Sequence, residues 1–250
     1  MYRGKKIGVV TAAYNEERFI KEVIETMPSF VDGIYVTNDA STDKTEDILF
    51  SMRDKRLAII THSKRMGAGA ATLSGYKKAC TNKMDVIAVM AGDGQMDPAV
   101  LDKILDPVVE GKADYAKGNR FSTPQHKKGM PAWRIFGSFL LTYLTRIASG
   151  YWHIVDPQNG YTSVSREAIE RINLDRVEKG FAFENDLLVK LNVCNARVVN
   201  VPIPARYRGE RSKIRYAHFM ATTSWVLFRD LIWRLWVKYV KRNSTKLQER

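Results

Sequence analysis

Short apolar runs alternate with segments of helical periodicity through the first half of the chain. Residues 7–13 form a continuous apolar run, which is typical of a buried parallel strand. The segment after it repeats apolar side chains at helical spacing until Pro28, which predicts an amphipathic helix. The alternation continues with strands predicted at residues 33–38, 57–61, 85–91 and 114–118, and with helices ending near Met52, covering residues 68–80 and starting at Pro98.

The regular alternation fades after residue 120. Helices are predicted at residues 132–148, 183–192 and 217–242, with a short one from Arg166, and strands at residues 161–165 and 196–201. Residues 205–215 read as a loop rich in arginine, glycine and lysine. Because no linker composition interrupts the chain, we expect residues 1–215 to form one domain, with residues 216–250 as a helical appendage and basic tail.

The order of these elements specifies an α/β fold, in which a mostly parallel, Rossmann-like sheet is flanked by helices. Ligands of such sheets bind beyond the carboxyl ends of the strands, where the strand order switches. Three polar segments directly follow predicted strands: Tyr14-Asn15-Glu16, Asn38-Asp39 and Asp93-Gly94-Gln95. We therefore expect them to gather on one rim of the sheet.

The charge balance indicates polyanionic partners. The 250 residues carry a formal net charge of +13, with most acids in residues 1–115 and a basic surplus after them. Nucleic acid is one such partner, but a nucleic-acid-binding module predicts no acidic rim. The acids gathered at strand ends therefore disfavour nucleic acid and favour anionic lipid or phosphorylated substrates.

The two cysteines and the distribution of apolar residues indicate where in the cell the protein acts. Cys80 and Cys194 lie far apart in apolar surroundings and are interpreted as reduced core thiols in a reducing compartment. We expect no signal peptide, and no apolar stretch approaches the ~20 residues that span a bilayer. The prediction is a peripheral protein on the cytoplasmic side of a membrane.

The last helix supports a membrane location. Residues 217–242 carry a wide apolar face rich in tryptophan, and mainly basic residues recur on the other side, which is typical of a helix lying in a membrane interface. The alternative is that this helix packs on the sheet or forms a homo-oligomer interface. For the apolar helix at residues 132–147 both interpretations stay open.

The acidic rim by itself would repel a nucleotide diphosphate. A divalent cation resolves this, because Mg²⁺ or Mn²⁺ bridges carboxylate and phosphate oxygens. Asp93 is the best metal-ligand candidate, and Gln95 can add a carbonyl oxygen. The alternative makes Asp93 and Asp97 simple turn and cap residues before Pro98.

The rim segments also carry a family resemblance. Taken together, the motifs resemble those of the GT-A fold of inverting glycosyltransferase family 2, most closely its dolichyl-phosphate and polyprenyl-phosphate sugar synthases. The matching segments, in the family's order, are Ala13-Tyr14-Asn15-Glu16-Glu17, Asn38-Asp39-Ala40-Ser41-Thr42-Asp43, Arg65-Met66-Gly67-Ala68-Gly69-Ala70-Ala71, Gly92-Asp93-Gly94-Gln95-Met96-Asp97-Pro98, Gly118-Asn119-Arg120-Phe121, Asp156-Pro157-Gln158-Asn159-Gly160-Tyr161 and Ser212-Lys213.

The resemblance implies a role for each rim segment. Asp39 would face the nucleotide base, Asp93 and Gln95 would hold the metal against the diphosphate, and the loop at 205–215 would close over the leaving group. The donor-binding residues implied are Ala13, Tyr14, Glu16, Asp39, Arg65, Gly67, Asp93, Ser212 and Lys213. The catalytic candidates are Asp93, Asp156, Asp186, Arg208 and Lys213.

The acceptor requires cations more than a base, because a phosphomonoester is already nucleophilic near neutral pH. Arg120 and Arg134 flank a lysine-rich loop and are the acceptor-phosphate candidates, with ordinary surface charge as the alternative. Asp156, Glu184 and Asp186 are further rim candidates, able to position sugar hydroxyls or orient the arginines.

Two positions depart from the family's pattern. Ala91 stands where its D-x-D element has the first aspartate, and Asn38 stands at the first aspartate of its D-D-G-S turn. The glycine turn at residues 67–69 also suggests a dinucleotide site, but position 72 is Thr72 rather than the third glycine.

The sequence therefore predicts an inverting transfer of sugar from a UDP- or GDP-sugar to a lipid-linked phosphate at the membrane. The alternative within the family is a transferase that uses a hydroxyl of a lipid-linked or cell-surface glycan. Such an acceptor demands a general base, with Asp156 or Asp186 as the candidate.

Overall fold

The computed structural model describes residues 1–122, 132–204 and 216–241. Its strands are β1 (Ile7–Ala13), β2 (Gly33–Asn38), β3 (Leu57–Thr61), β4 (Val86–Val89), β5 (Tyr115–Asn119), β6 (Thr162–Ser165) and β7 (Val198–Pro202). Its α-helices are α1 (Ile20–Glu25), α2 (Thr45–Ser51), α3 (Ala68–Thr81), α4 (Leu101–Val109), α5 (Ala132–Ser149), α6 (Arg166–Glu170), α7 (Phe183–Val193) and α8 (Tyr216–Leu235).

The seven strands form one sheet in the order β3-β2-β1-β4-β6-β5-β7. All neighbours pair in parallel except β6, which runs antiparallel between β4 and β5. The predicted α/β class is thus confirmed. The strand order reverses between β1 and β4, so the crevice for a ligand lies where the loops after these two strands meet.

Two apolar cores cover the two faces of the sheet. Ile7, Val9 and Ile34 face α1, α2 and α4 on one side, whereas Val10 and Tyr35 face α3 and α7 on the other. Burial on both faces explains why β1 and β2 are continuous apolar runs in the sequence. The rigid sheet holds the strand ends, and therefore the rim, in fixed positions.

The C-terminal helix α8 packs its charged side against the protein. Arg234 donates to the carbonyl oxygens of Ile147 (3.1 Å) and Ala148 (2.7 Å), which are last-turn carbonyls of α5, and Asp230 is buried against α7. Leu227 joins a small apolar cluster with these two helices. The charged side chains of Asp230 and Arg234 therefore contact the protein.

The outward side of α8 is apolar instead. Its exposed side chains recur at helical spacing, and α5 adds a second exposed apolar group. The exposed set comprises Trp225, Phe228, Ile232 and Leu235 on α8, Trp236, Tyr239 and Val240 on the π-helical segment Trp236–Lys241 that continues its outward side, and Phe139, Leu140 and Tyr143 on α5. None of the helices in the described ranges combines the length and apolarity that a membrane-spanning segment needs.

Candidate active site

The loops after β1 and β2 are tied together by hydrogen bonds. Asn15 adopts a φ of +56°, and its side-chain oxygen accepts the backbone N–H of Thr42 at 2.8 Å. The backbone N–H of Asn15 donates in turn to Ser41 Oγ at 3.1 Å. The N–H of Glu16 donates to Thr45 Oγ1 at 2.8 Å. These bonds make a preformed floor for a ligand, which needs little ordering on binding.

Asp39 holds the loop that follows β3. Its carboxylate accepts the backbone N–H groups of Met66 and Gly67, both at 2.8 Å, and lies 2.7 Å from Nδ1 of His62, whose Nε2 lies 2.9 Å from Ser74 Oγ. Asp39 was predicted to bond the nucleotide base. In the structure these carboxylate oxygens already accept hydrogen bonds from the loop, so a nucleotide base would have to share them.

Four of the predicted donor-binding residues, Ala13, Tyr14, Asp39 and Arg65, lie close together at this edge. Asp39 donates its backbone N–H to the carbonyl of Ala13 at 2.9 Å, which joins the ends of β1 and β2. The guanidinium of Arg65 lies 4.1 Å from the ring centroid of Tyr14. Cation–π stacking at this distance fixes both planar groups. The result is a flat cationic surface beside the crevice, suited to a nucleotide.

The N-terminus of α3 packs so closely on the segment before α7 that only glycine fits. A Cβ placed on Gly69 would lie 2.6 Å from Phe183 Cβ and 2.7 Å from the Lys179 carbonyl oxygen. That same oxygen accepts the N–H of Ala70 at 3.0 Å. The backbone of residues 179–180 therefore forms the back wall of the glycine turn.

Replacing Gly69 with alanine should displace the backbone of residues 179–180, because the added Cβ would overlap with carbonyl oxygens of that segment. We expect a loss of about 1–3 kcal/mol in the free energy of unfolding, measured by urea denaturation, and weaker nucleotide binding. Gly180→Ala is the matched control on the other side of the contact, since its Cβ would meet nothing closer than 3.6 Å. Equal stability of the two variants would contradict this packing.

Asp93 lies beside the end of β1. The N–H of Gly92 donates to the Ala12 carbonyl at 3.3 Å, and Asp93 Oδ1 accepts the N–H of Gln95 at 3.0 Å across Gly94, whose φ is +72°. This turn presents a carboxylate and an amide side chain at the strand switch. Both are predicted site residues, and the structure places them next to the donor-binding edge.

The donor set at Asp93 fits a metal shared with a substrate. In the ranges that the structure describes, no three histidine, cysteine or acidic side chains form a metal cage. Mg²⁺ commonly binds through one or two protein oxygens and completes its shell with phosphates and water. Asp93 and Gln95 together offer such a small set of oxygen ligands. Asp97, by contrast, accepts the N–H of Ala99 at 3.0 Å and is a capping residue.

On the other side of the crevice, Arg120 is paired with Asp156. The guanidinium donates to both carboxylate oxygens, at 2.8 and 3.0 Å, and the Asp156 side chain is buried. Asp156 therefore orients Arg120, one of the roles predicted for it. A general base at Asp156 would therefore have to share its oxygens with the guanidinium of Arg120.

A second ion pair lies beside it and was only partly foreseen. Lys117 is fully buried in β5 and donates to Glu184 Oε2 at 3.0 Å and to the Asn159 carbonyl at 2.6 Å. Glu184 Oε1 lies over Gly160, 2.8 Å from where a Cβ would be. Burial raises the pKa of Glu184, although Lys117 opposes the shift. A lysine inside an otherwise apolar strand was the available signal, because a buried ammonium requires a carboxylate partner.

Asp186 does not join this group. Its side chain is fully buried on α7, where it pairs with Lys190 and accepts the Glu178 N–H at 2.6 Å. A carboxylate held in this way inside the α7–α8 contact is not placed to take a proton from an acceptor. The prediction that Asp186 acts as a general base is therefore replaced by a structural role in this buried contact.

The remaining predicted residues lie wholly or partly outside the described residues. Arg208, Ser212 and Lys213 fall between α8 and β7, beyond the described ranges. Arg134 belongs to the first turn of α5, and its side chain is likewise outside them. Their predicted roles stay predictions.

The sequence profile described as glycosyl transferase family 2 matches residues 8–172, which contain the floor, the glycine turn, the Asp93 turn and the Arg120–Asp156 pair. The chain belongs to glycosyl transferase family 2. The resemblance read from the motifs is thereby confirmed, and the protein is a glycosyltransferase.

Relatives of this glycosyltransferase include enzymes of lipid-linked sugar metabolism. A UDP-N-acetylglucosamine–dolichyl-phosphate N-acetylglucosaminyltransferase of Methanococcus voltae is 26% identical over 218 residues, covering 81% of this chain and 86% of the relative. A polyprenol monophosphomannose synthase of Mycolicibacterium smegmatis is 29% identical over 201 residues, covering 78% and 75%.

Solved structures share the fold of the glycosyltransferase. Glucosyl-3-phosphoglycerate synthase from Mycobacterium tuberculosis, in complex with UDP, superposes with a TM-score of 0.68 at 19% identity, covering 91% of this chain and 80% of that one. The same enzyme has been solved with Mn²⁺, UDP and phosphoglyceric acid, also with a TM-score of 0.68, at 18% identity and covering 92% and 78%. The expected GT-A architecture is confirmed.

Proposed function

We propose that this glycosyltransferase moves a sugar from a UDP- or GDP-sugar to a dolichyl- or polyprenyl-type lipid phosphate at the cytoplasmic surface of a membrane. The observation that carries the proposal is a family 2 site flanked by a helix whose apolar side faces outward. The acceptors printed in the names of the relatives support the lipid phosphate. The free thiols Cys80 and Cys194 support a reducing compartment.

The donor would lie across the strand switch. The stacked Arg65 and Tyr14 would bind the nucleoside end, with Asp39 holding their loop, and the diphosphate would reach Asp93 and Gln95. Mg²⁺ or Mn²⁺, when bound there, neutralises charge on the leaving diphosphate. Arg208, Ser212 and Lys213 belong to this proposal as cations and a hydroxyl closing over the same phosphates.

The acceptor phosphate would enter from the opposite wall. Arg120, oriented by Asp156, would bind it together with Arg134 from the start of α5. A phosphate oxygen then attacks the anomeric carbon as the diphosphate leaves, so one displacement inverts the configuration. No residue has to remove a proton, because the phosphate is already ionised.

The membrane would be met by the outward side of α8. Trp225, Phe228 and Trp236 are each more than half exposed, and large exposed apolar side chains in a row mark an interaction site. Indole rings favour the headgroup region. The opposite side of α8 contacts α5, since Arg234 donates to the carbonyl oxygen of Ala148 at 2.7 Å, so the outward side is the one proposed to meet a membrane.

The test is a transfer assay with UDP- and GDP-sugars, Mn²⁺, and a short polyprenyl phosphate, alongside the same mixtures without acceptor. We expect a lipid-phosphate sugar with one donor class. Absence of binding of either nucleotide, with or without metal, would refute the proposed function.

Substitution of Glu184 distinguishes a phosphate acceptor from a hydroxyl acceptor. A hydroxyl requires a general base, and a carboxylate of raised pKa beside Gly160 would supply one. With a phosphate acceptor, Glu184→Gln should keep kcat within about tenfold, because general-base catalysis, typically 10²–10⁴-fold, is not used. A larger loss, with the donor KM unchanged, would favour the hydroxyl acceptor.

A further inference from the structure

The α7–α8 contact contains a cluster of buried charges that the reaction does not use. Asp186 on α7 and Asp230 on α8 are both buried, and Arg229 reaches both carboxylates, at 4.0 and 2.9 Å. Lys190 pairs with Asp186 from the next turn of α7. Buried carboxylates are costly, so a cluster of this kind persists only when its members are held by one another.

The cluster is connected to the donor-binding edge through the backbone. Asp186 Oδ2 accepts the N–H of Glu178 at 2.6 Å. The next residue, Lys179, accepts the Ala70 N–H at 3.0 Å and forms the wall behind Gly67 and Gly69. The same segment is reached from α8 by Arg229, whose guanidinium lies 3.7 Å from Glu178 Oε2.

We propose that Asp186 is a positioning residue for the donor nucleotide, and that α8 holds it in place through Arg229 and Asp230. Asp186 fixes residues 178–180, these fix the start of α3, and Gly67 at that start is bonded to Asp39. The helix that meets the membrane is thus joined to the donor site. This inference rests on the donor binding proposed above.

Charged groups of both helices face the two carboxylates. Asp230 is faced by Asp186 and Arg229, and Asp186 by Lys190, Arg229 and the backbone of Glu178. Burial, followed by the neighbouring Asp186, raises the pKa of Asp230 to about 7.

The experiment measures calorimetric binding of UDP and of GDP, each with Mn²⁺, to the full chain. Asp186→Leu removes the acceptor for the Glu178 N–H, and we expect the Kd to rise about tenfold. Asp186→Asn keeps an oxygen acceptor and should recover most of the affinity. Arg229→Met, at a half-exposed side chain, should weaken binding a few-fold without unfolding the protein.

Ile169→Val is the stability control, because Ile169 is buried on α6 in the core beside α3 and α7 and its change removes a single methylene group. It should lower Tm and leave the nucleotide Kd unchanged. If it weakens binding as much as Arg229→Met does, or if folded Asp186→Leu and Arg229→Met bind as wild type, the inference is overturned. Absence of binding by the wild type overturns the proposed function itself, and this inference with it.

Discussion

Replacing Asp93 with alanine should lower kcat/KM for sugar transfer by on the order of 1000-fold, to the limit of detection. Asp93 is the carboxylate at the strand switch in a site where no cage of three metal-binding side chains exists within the described ranges. Loss of one ligand from so sparse a donor set leaves the diphosphate charge uncompensated. The Mn²⁺-dependent part of nucleotide binding, measured by calorimetry, should disappear with the activity.

Asp97→Ala is the matched control for Asp93→Ala. It lies four positions along the same loop and removes a carboxylate of equal charge, but Asp97 caps the turn at Ala99. We expect a loss of about 1 kcal/mol in stability and nearly full activity. Full activity of Asp93→Ala, or equal loss in the two variants, would remove Asp93 from the metal site.

Replacing Trp225, Phe228 and Trp236 together with serine should release the protein from vesicles. These side chains are 66%, 57% and 52% exposed, so their loss costs the fold little. If each contributes about 1 kcal/mol by partial burial in the bilayer, partitioning falls on the order of 100-fold. Sedimentation with anionic vesicles measures this directly, and nucleotide binding in solution should be retained.

Phe50→Ser provides the control for the membrane-facing surface. Phe50 is 65% exposed on α2, so its replacement removes an exposed aromatic side chain at a different place. It should leave vesicle binding unchanged. If the triple variant still sediments with vesicles but loses self-association in gel filtration, the outward side of α8 is an interface between copies of the chain instead.

The α/β architecture was readable from the chain because parallel strands are buried on both faces. β1 is therefore a largely apolar run, and the limits of β1 and β2 were predicted to the residue at 7–13 and 33–38. The antiparallel direction of β6 was not readable. A strand of four residues carries no pattern that distinguishes its direction, which is decided by its neighbours β4 and β5.

The site was predicted where function depends on residue type at a strand end, and missed where it depends on pairing across the fold. Asp93, Gln95 and Tyr14 follow predicted strands, so the strand-end rule located them, whereas Arg65 came from the family resemblance. The Lys117–Glu184 pair joins residues 67 positions apart, and no local pattern indicates such a partner. Their proximity arises only when α7 packs beside β5.

The amino-acid sequence by itself determined the order of strands and helices, the family, and which polar side chains stand at the rim, because each of these follows from local periodicity or from motifs within a few residues. Only the tertiary structure decided the partners of Asp39, Arg120 and Asp186, and which side of α8 faces outward. Apolar side chains on one side of a helix favour burial in the protein and in a membrane equally. Asp230 interacts with Asp186 of α7 and Arg234 with the end of α5, so the charged side of α8 faces the protein and the apolar side faces outward.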